Sequence, residues 1–208
     1  GKSRLIEALA GEQFNFVSGT LGSRRPTVLE FRNVPANSDS VWQVLDKATN
    51  KWQQHSVSRV MELMAEAHES LGKSVSKDPI YVRIQSAHCV DMQVVDLPGF
   101  REFSIDSSKE ALAKEIEELD TSFMTDKRNV MICVEEAGDA ANMATLGRCK
   151  QIDPNFERTV LVRNKLDKYY GDLNHENINA WLDGFGDLPA HLKMFTLTLP
   201  HWTDKDKQ

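Results

Sequence analysis

An α/β fold with a mainly parallel central sheet and helices on both faces is predicted by three observations. Apolar strand patterns alternate with amphipathic helix patterns through most of the second half of the chain. Short polar motifs stand at the ends of those strands, where open sheets of this kind bind ligands. A Gly1-Lys2-Ser3 triplet opens directly into a helical pattern.

The elements follow in chain order. Residues 3–10 read as a short helix, with Leu5, Ile6 and Leu9 on one face and Gly11 as its stop. Residues 14–25 read as a loop containing Gly and Ser. Residues 27–32 alternate as a strand, and 33–39 are loop. Residues 56–72 predict a longer amphipathic helix, because Val57, Val60, Met61, Met64, Ala67 and Leu71 recur at helical spacing. The two methionines are read as core packing. Residues 79–86 and 91–95 predict neighbouring strands, the second ended by Asp96-Leu97-Pro98-Gly99. Residues 108–124 predict a helix with Leu112, Ile116, Leu119 and Phe123 inward and a solvated charged face opposite. Residues 129–134 predict a buried strand, because the apolar residues run without alternation. A helix over 140–151, a strand over 159–162, a helix over 177–185 and a strand over 194–199 complete the pattern. No internal repeat or linker breaks it, so the chain reads as one domain.

Composition bounds the function. The 208 residues are 40% hydrophobic and 27% charged, as in an ordinary globular protein. A formal charge of -6 argues against a nucleic-acid partner, which requires a clustered positive surface. Cys89, Cys133 and Cys149 are widely spaced and read as reduced thiols of a cytosolic protein. The six histidines show no metal-ligand spacing. The first residue is not Met, so any targeting segment is expected upstream.

Three motifs carry chemistry. Gly1-Lys2-Ser3 matches the end of GxxxxGK[ST]. There the Lys pairs with β- and γ-phosphates, the Ser hydroxyl binds Mg²⁺, and the helix N-terminus adds backbone donors. Alone the triplet is weak evidence. Asp96-Leu97-Pro98-Gly99 ends an apolar strand. Asp96 can hold Mg²⁺ through water and the Gly99 N–H can reach a γ-phosphate, although a strand followed by a Pro-Gly turn is common. Asn164-Lys165-Leu166-Asp167 follows a Val-rich strand. The Asp167 carboxylate can accept from both N1–H and the exocyclic amine of guanine, whereas adenine offers neither. The Lys165 stem would cover the base face. The three motifs in this order imply a guanine-nucleotide site. Gly22-Ser23-Arg24-Arg25-Pro26 stands where a switch segment is expected, with Ser23 supplying the hydroxyl that closes on Mg²⁺ and water. An exposed basic loop is the plainer alternative.

With these residues the sequence resembles the dynamin superfamily of large GTPases. The resemblance rests on Gly1-Lys2-Ser3 with Leu5-Ile6 and Ala8-Leu9, on Phe14 through Arg24-Arg25-Pro26-Thr27, on Asp96-Leu97-Pro98-Gly99 and on Lys165-Leu166-Asp167. The stretch between Pro26 and Ile80 fits an insertion that small GTPases lack. Gln13-Phe14-Asn15-Phe16-Val17 and Gln151-Ile152-Asp153-Pro154 are most similar to plant and algal relatives of chloroplast division.

The resemblance implies a three-layer P-loop GTPase fold with the dynamin-type insertion, hydrolysis of GTP to GDP, self-association through GTPase domains, and membrane fission. It implies action at the cytosolic face of an organelle membrane, with the chloroplast outer envelope as a specific case. Lys2, Ser3, Asp96 and Gly99 carry over directly. Ser23 stands where the family has a catalytic Thr and lacks the methyl that fixes its rotamer. Asn164 stands where dynamins usually have Thr. Arg24 and Arg25 are given no catalytic role. The preceding strand and the first half of the phosphate loop are expected upstream, with the groups that orient water and bind a monovalent cation. A stalk and membrane-binding region are expected beyond Gln208. Without that strand the strands containing Val94, Val130 and Val160 are expected to lack a neighbour, leaving the chain by itself unstable or aggregation-prone. A final base-contacting loop is expected near residues 198–200. The rival readings are a binding-only switch or scaffold, and another P-loop GTPase such as a septin-like or immunity-related protein; Arg24-Arg25-Pro26 argues against the latter group.

Overall fold

The computed structural model describes residues 1–11, 23–72, 74–100, 107–184 and 188–199, with the backbone alone for 107–109. They fall into two compact units, Lys2–Ser122 and Phe123–Gln208 with Gly1. Each is described by itself.

The first unit opens with helix α1 (Lys2–Ala10). Ile6 and Ala10 face the core, one helical turn apart. Gly11 stops the helix at φ +65, where an added Cβ would stand 2.6 Å from His88 Cβ, so both conformation and space require glycine there. Strand β1 (Thr27–Asn33) buries Leu29 and Phe31 on one face. Strands β2 (Val41–Asp46) and β3 (Lys51–His55) form a hairpin. Helix α2 (Val57–Glu69) is capped by Ser56, whose Oγ accepts from the Arg59 N–H at 3.3 Å. It turns Val60 and Met64 inward. Strand β4 (Ile80–Ser86) alternates buried and half-buried positions throughout, so Ile80, Val82 and Ile84 line one face. Strand β5 (Met92–Asp96) follows, and helix α3 (Ser107–Met124) belongs to this unit except for its last two residues.

The sheet order is β3-β2-β4-β1-β5. One core cluster gathers Ile6 and Ala10 from α1, Val60 and Met64 from α2, and Leu29, Phe31, Trp42, Val82 and Ile84 from the sheet. Each fully buried large side chain there contributes roughly 1.5–3 kcal/mol.

The second unit holds strand β6 (Met131–Glu136), helix α4 (Ala144–Ile152), strand β7 (Thr159–Asn164), helix α5 (Ile178–Asp183) and strand β8 (Lys193–Thr196). Its sheet runs β6-β7-β8 and is parallel throughout. Asp153, just after α4, accepts from the N–H groups of Glu157 and Arg158 and from the Thr159 hydroxyl, which fixes the turn into β7.

Several sequence expectations are refined. The α/β class holds, but the described pairings divide evenly between parallel and antiparallel. β1–β4, β6–β7 and β7–β8 are parallel, and the three antiparallel pairs all lie in the first unit. The β2–β3 hairpin, inside the insertion, goes beyond the expected elements. The helix expected over 140–151 is a 3-10 turn (Ala140–Asn142) and then α4, separated at Met143, whose ψ of 77 is not helical. Strand β6 is not buried on both faces: Met131 and Cys133 are covered while Ile132 is 45% exposed. It is an edge strand of its own sheet, and the two faces of an edge strand need not be covered alike. Val130 falls just outside it. Among the described residues no helix is long and apolar enough to cross a membrane.

Candidate functional site

The first cluster lies where α1 begins and β5 ends. Asp96 is the last residue of β5 and pairs in register with Thr27 of β1. The Lys2 Nζ donates to the Leu97 carbonyl at 2.6 Å and stands 3.9 Å from Asp96 Oδ1. Asp96 is 5% exposed and Lys2 is 42% exposed. Burial pushes the Asp96 carboxyl above its ordinary range, and the Lys2 ammonium pulls it part of the way back. A half-exposed cation thus stands over a buried carboxylate in the first turn of a helix whose leading N–H groups have no helical partner. That arrangement suits an anion.

Ser3 is next along α1 and is half-buried. A hydroxyl and one carboxylate are hard oxygen donors of the kind Mg²⁺ takes, with its other ligands coming from water and phosphate. Among the described residues no group of three or more His, Cys, Asp or Glu could hold a metal without such additional ligands. Gly99 is exposed, has no positive φ, and a Cβ there would meet nothing within 4 Å. Neither packing nor backbone conformation demands glycine at 99, and the position is open to a ligand.

Ser23 begins the described segment that leads into β1. That segment is pinned by its backbone. The Arg24 N–H donates to His68 Nδ1 at 3.2 Å, the Ser76 N–H to the Arg24 carbonyl at 3.0 Å, and the Ile80 N–H to the Pro26 carbonyl at 2.9 Å. Among the described residues no hydrogen bond joins Ser23 to Lys2 or Asp96. The Gly22 and Gln13–Val17 parts of the motifs lie outside the described residues.

The second cluster is the turn after β7. Asn164 is buried; its Oδ1 accepts the Lys165 N–H at 2.7 Å, and its carbonyl accepts the Ala137 N–H at 2.7 Å. Lys165 takes the left-handed conformation at φ +62, a costly one for a residue with a Cβ. A 3-10 turn (Leu166–Tyr169) follows. The Asp167 N–H donates to Thr198 Oγ1 at 3.2 Å, and the Asp167 side chain is exposed. Gly1 belongs to this unit, and a Cβ on it would stand 3.4 Å from Val134 Cγ1 and 3.6 Å from Asn164 Nδ2.

Three residues here go beyond the motif residues. Glu136, the last residue of β6, accepts from Lys168 Nζ at 2.9 Å, Lys165 Nζ at 3.3 Å and the Tyr169 hydroxyl at 3.2 Å. Lys168, then Lys165 and Tyr169, hold its carboxyl below the ordinary range against the opposing effect of burial. Thr198 falls in the stretch expected to hold the final base-contacting loop. Arg163 is fully buried and donates to the carbonyls of Trp181, Leu182 (3.2 Å) and Gly138 (3.2 Å). Only the acidic Glu135-Glu136 pair at a strand end could have flagged Glu136 in advance. The bonds of Arg163 and Thr198 span 18 to 31 residues, beyond any local pattern.

Lys2 and Asp96 therefore meet in the first unit, while Asn164, Lys165 and Asp167 share one turn in the second. The profile of the dynamin family matches residues 1–166. The chain is 28% identical to "Dynamin-like protein C" of Dictyostelium discoideum over 96% of its length and 27% of that relative's. It is 30% identical to "Dynamin-like protein ARC5" of Arabidopsis thaliana, over 80% of this chain and 22% of that protein. It is 29% identical to "Vacuolar protein sorting-associated protein 1" of Schizosaccharomyces pombe, over 80% of this chain and 28% of that one. The chain spans about a quarter of the length of these curated relatives. A family profile that matches residues 1–166, most of the chain, means that this chain belongs to the dynamin family.

Proposed function

We propose that this chain is the nucleotide-binding part of a GTPase that hydrolyses GTP to GDP and phosphate. The carrying observation is the Lys2 ammonium set over the buried Asp96 carboxylate at the start of α1. In the proposed reaction a water oxygen attacks the γ-phosphorus in line. The bond to the β–γ bridging oxygen breaks, and its electron pair stays on GDP. The protein acts by positioning and electrostatics. Lys2 offsets charge on the β- and γ-phosphates, the Gly99 N–H donates to the γ-phosphate, and the Ser23 hydroxyl holds the attacking water. Asp167 selects guanine, with Asn164 fixing the turn and Lys165 over the base. When bound, Mg²⁺ would supply charge neutralisation across the β- and γ-phosphates, held by Ser3, Ser23 and, through water, Asp96. A monovalent cation would be held by groups outside this chain.

In the whole protein we place this activity at the cytosolic face of an organelle membrane, with self-association through GTPase domains and membrane contact through other regions. A chloroplast-envelope role is the finer reading, carried by the resemblance of Gln13-Phe14-Asn15-Phe16-Val17 to plant and algal relatives. The Gln151-Ile152-Asp153-Pro154 resemblance weighs less, because Asp153 holds the turn into β7 and so has a folding reason to be there. Ser23 in place of Thr favours a second reading, a GTP-binding switch without turnover.

Turnover of GTP against ATP by the intact protein, with and without lipid tubules, tests these readings. Hydrolysis of GTP alone, faster on lipid, is the expected result. Equal turnover of ATP would overturn the guanine assignment. Tight GTP binding without turnover would select the switch.

A further inference from the structure

We infer that Glu136 is a positioning residue of the base-side turn, acting through Lys165 to set the affinity for guanine nucleotides. The inference rests on the proposed nucleotide reading and deepens it.

Lys165 is the residue under most local constraint in this turn. Its φ of +62 is stable only when surrounding bonds over-determine it. Two bonds do so. Asn164 Oδ1 takes its N–H at 2.7 Å, and Glu136 Oε2 takes its ammonium at 3.3 Å. Glu136 also ties the far end of the same turn, accepting from Lys168 at 2.9 and 3.0 Å and from Tyr169 at 3.2 Å. The Tyr169 ring in turn packs on Trp181, with centroids 4.7 Å apart. One carboxylate at the end of β6 therefore draws in both ends of the 165–169 turn, with Asp167 between them.

Two consequences follow from the chemistry. Neutralising Glu136 releases the Lys165 stem and removes the charged anchor of Lys168, so the turn samples more conformations before a base arrives. Ordering it on binding then lowers affinity. The loss should also depend on Lys165, because that is the side chain through which Glu136 reaches the base. The Glu136 side chain is 39% exposed and Gln has its shape, so Glu136→Gln is expected to leave folding intact.

A double-mutant cycle on the intact protein tests this, with the Kd of fluorescently labelled GDP as the readout and melting temperature as the control. Glu136→Gln should weaken GDP by about tenfold, the scale of one charge-assisted hydrogen bond. In a Lys165→Met background the same change should cost less than about twofold. Glu136→Asp, which keeps the charge with a shorter reach, should fall between wild type and Glu136→Gln. Wild-type affinity in Glu136→Gln, or an equal loss in both backgrounds, would overturn the proposal while leaving the nucleotide site standing. If the unmodified protein binds GDP no more tightly than ADP, the nucleotide reading fails and this proposal fails with it.

Discussion

The two motif clusters are held in opposite ways. Among the described residues the Lys2–Asp96 pair has few partners: one carbonyl for the ammonium and a buried carboxylate 3.9 Å away. The turn after β7 is dense with bonds, from Asn164, Glu136 and Thr198 to its own backbone and side chains. The contrast has a physical sense. A cation that must meet phosphate loses affinity if the protein already satisfies it. A carboxylate that must read hydrogen-bond donors on a flat base gains selectivity when its turn is fixed beforehand.

The sparse cluster depends most on Lys2. Lys2→Ala should weaken GTP by at least ~100-fold, since charge-assisted hydrogen bonds to phosphate contribute about 1.5–3 kcal/mol each. Titration calorimetry on the intact protein checks this, and unchanged affinity would remove Lys2 from the site. The melting temperature should change little, because Lys2 is half exposed.

Arg163 should show the reverse. Arg163→Met strands the carbonyls of Gly138 and Leu182, at a cost of about 2 kcal/mol of stability. Denaturant unfolding reads the loss, and a variant as stable as wild type would show that those carbonyls find other partners.

These two residues also show what the sequence made legible. The placement of Lys2, Asp96 and Asp167 at element ends could be read because short motifs mark where helices and strands start and stop. The helices could be read because Val60 and Met64, or Ile116 and Leu119, repeat at helical period. The β2–β3 hairpin could not, because Lys51-Trp52-Gln53-Gln54-His55 carries no apolar alternation and Trp52 packs instead under the Arg83 guanidinium, 4.0 Å from its ring centre. Its local signals were turn signals. The Asp46 carboxylate accepts from the Ala48 N–H and the Thr49 hydroxyl, and Asn50 takes φ 54. Arg163 was invisible for another reason: a charged residue inside a strand pattern reads as an outward position, and only the fold shows that carbonyls from α5 converge on it.

Thr198→Val removes the acceptor of the Asp167 N–H and should weaken GDP by about fivefold, on the order of 1 kcal/mol. An effect confined to melting temperature would make Thr198 structural only.

The pinning of Arg24 by His68 should depend on pH. Burial first, then Arg25 and Arg24, depresses the His68 pKa below 6.5. For a group whose folded pKa is depressed, the contribution is present above the unfolded value and is lost as pH falls through the folded one. Hydrogen exchange at the Arg24 amide should therefore rise relative to that of Ile80 as pH drops below about 6.5. A His68→Gln variant should abolish that change, and a pH-independent exchange ratio in the parent protein would contradict it.

The most direct test of the central claim, that this dynamin-family chain reads guanine through Asp167, is a change of base preference. The intact protein and its Asp167→Asn variant would each be titrated with GDP and XDP, which differ at the position the side chain addresses. The parent should bind GDP and reject XDP, and Asp167→Asn should reverse the order. A variant that still prefers GDP to XDP would contradict it.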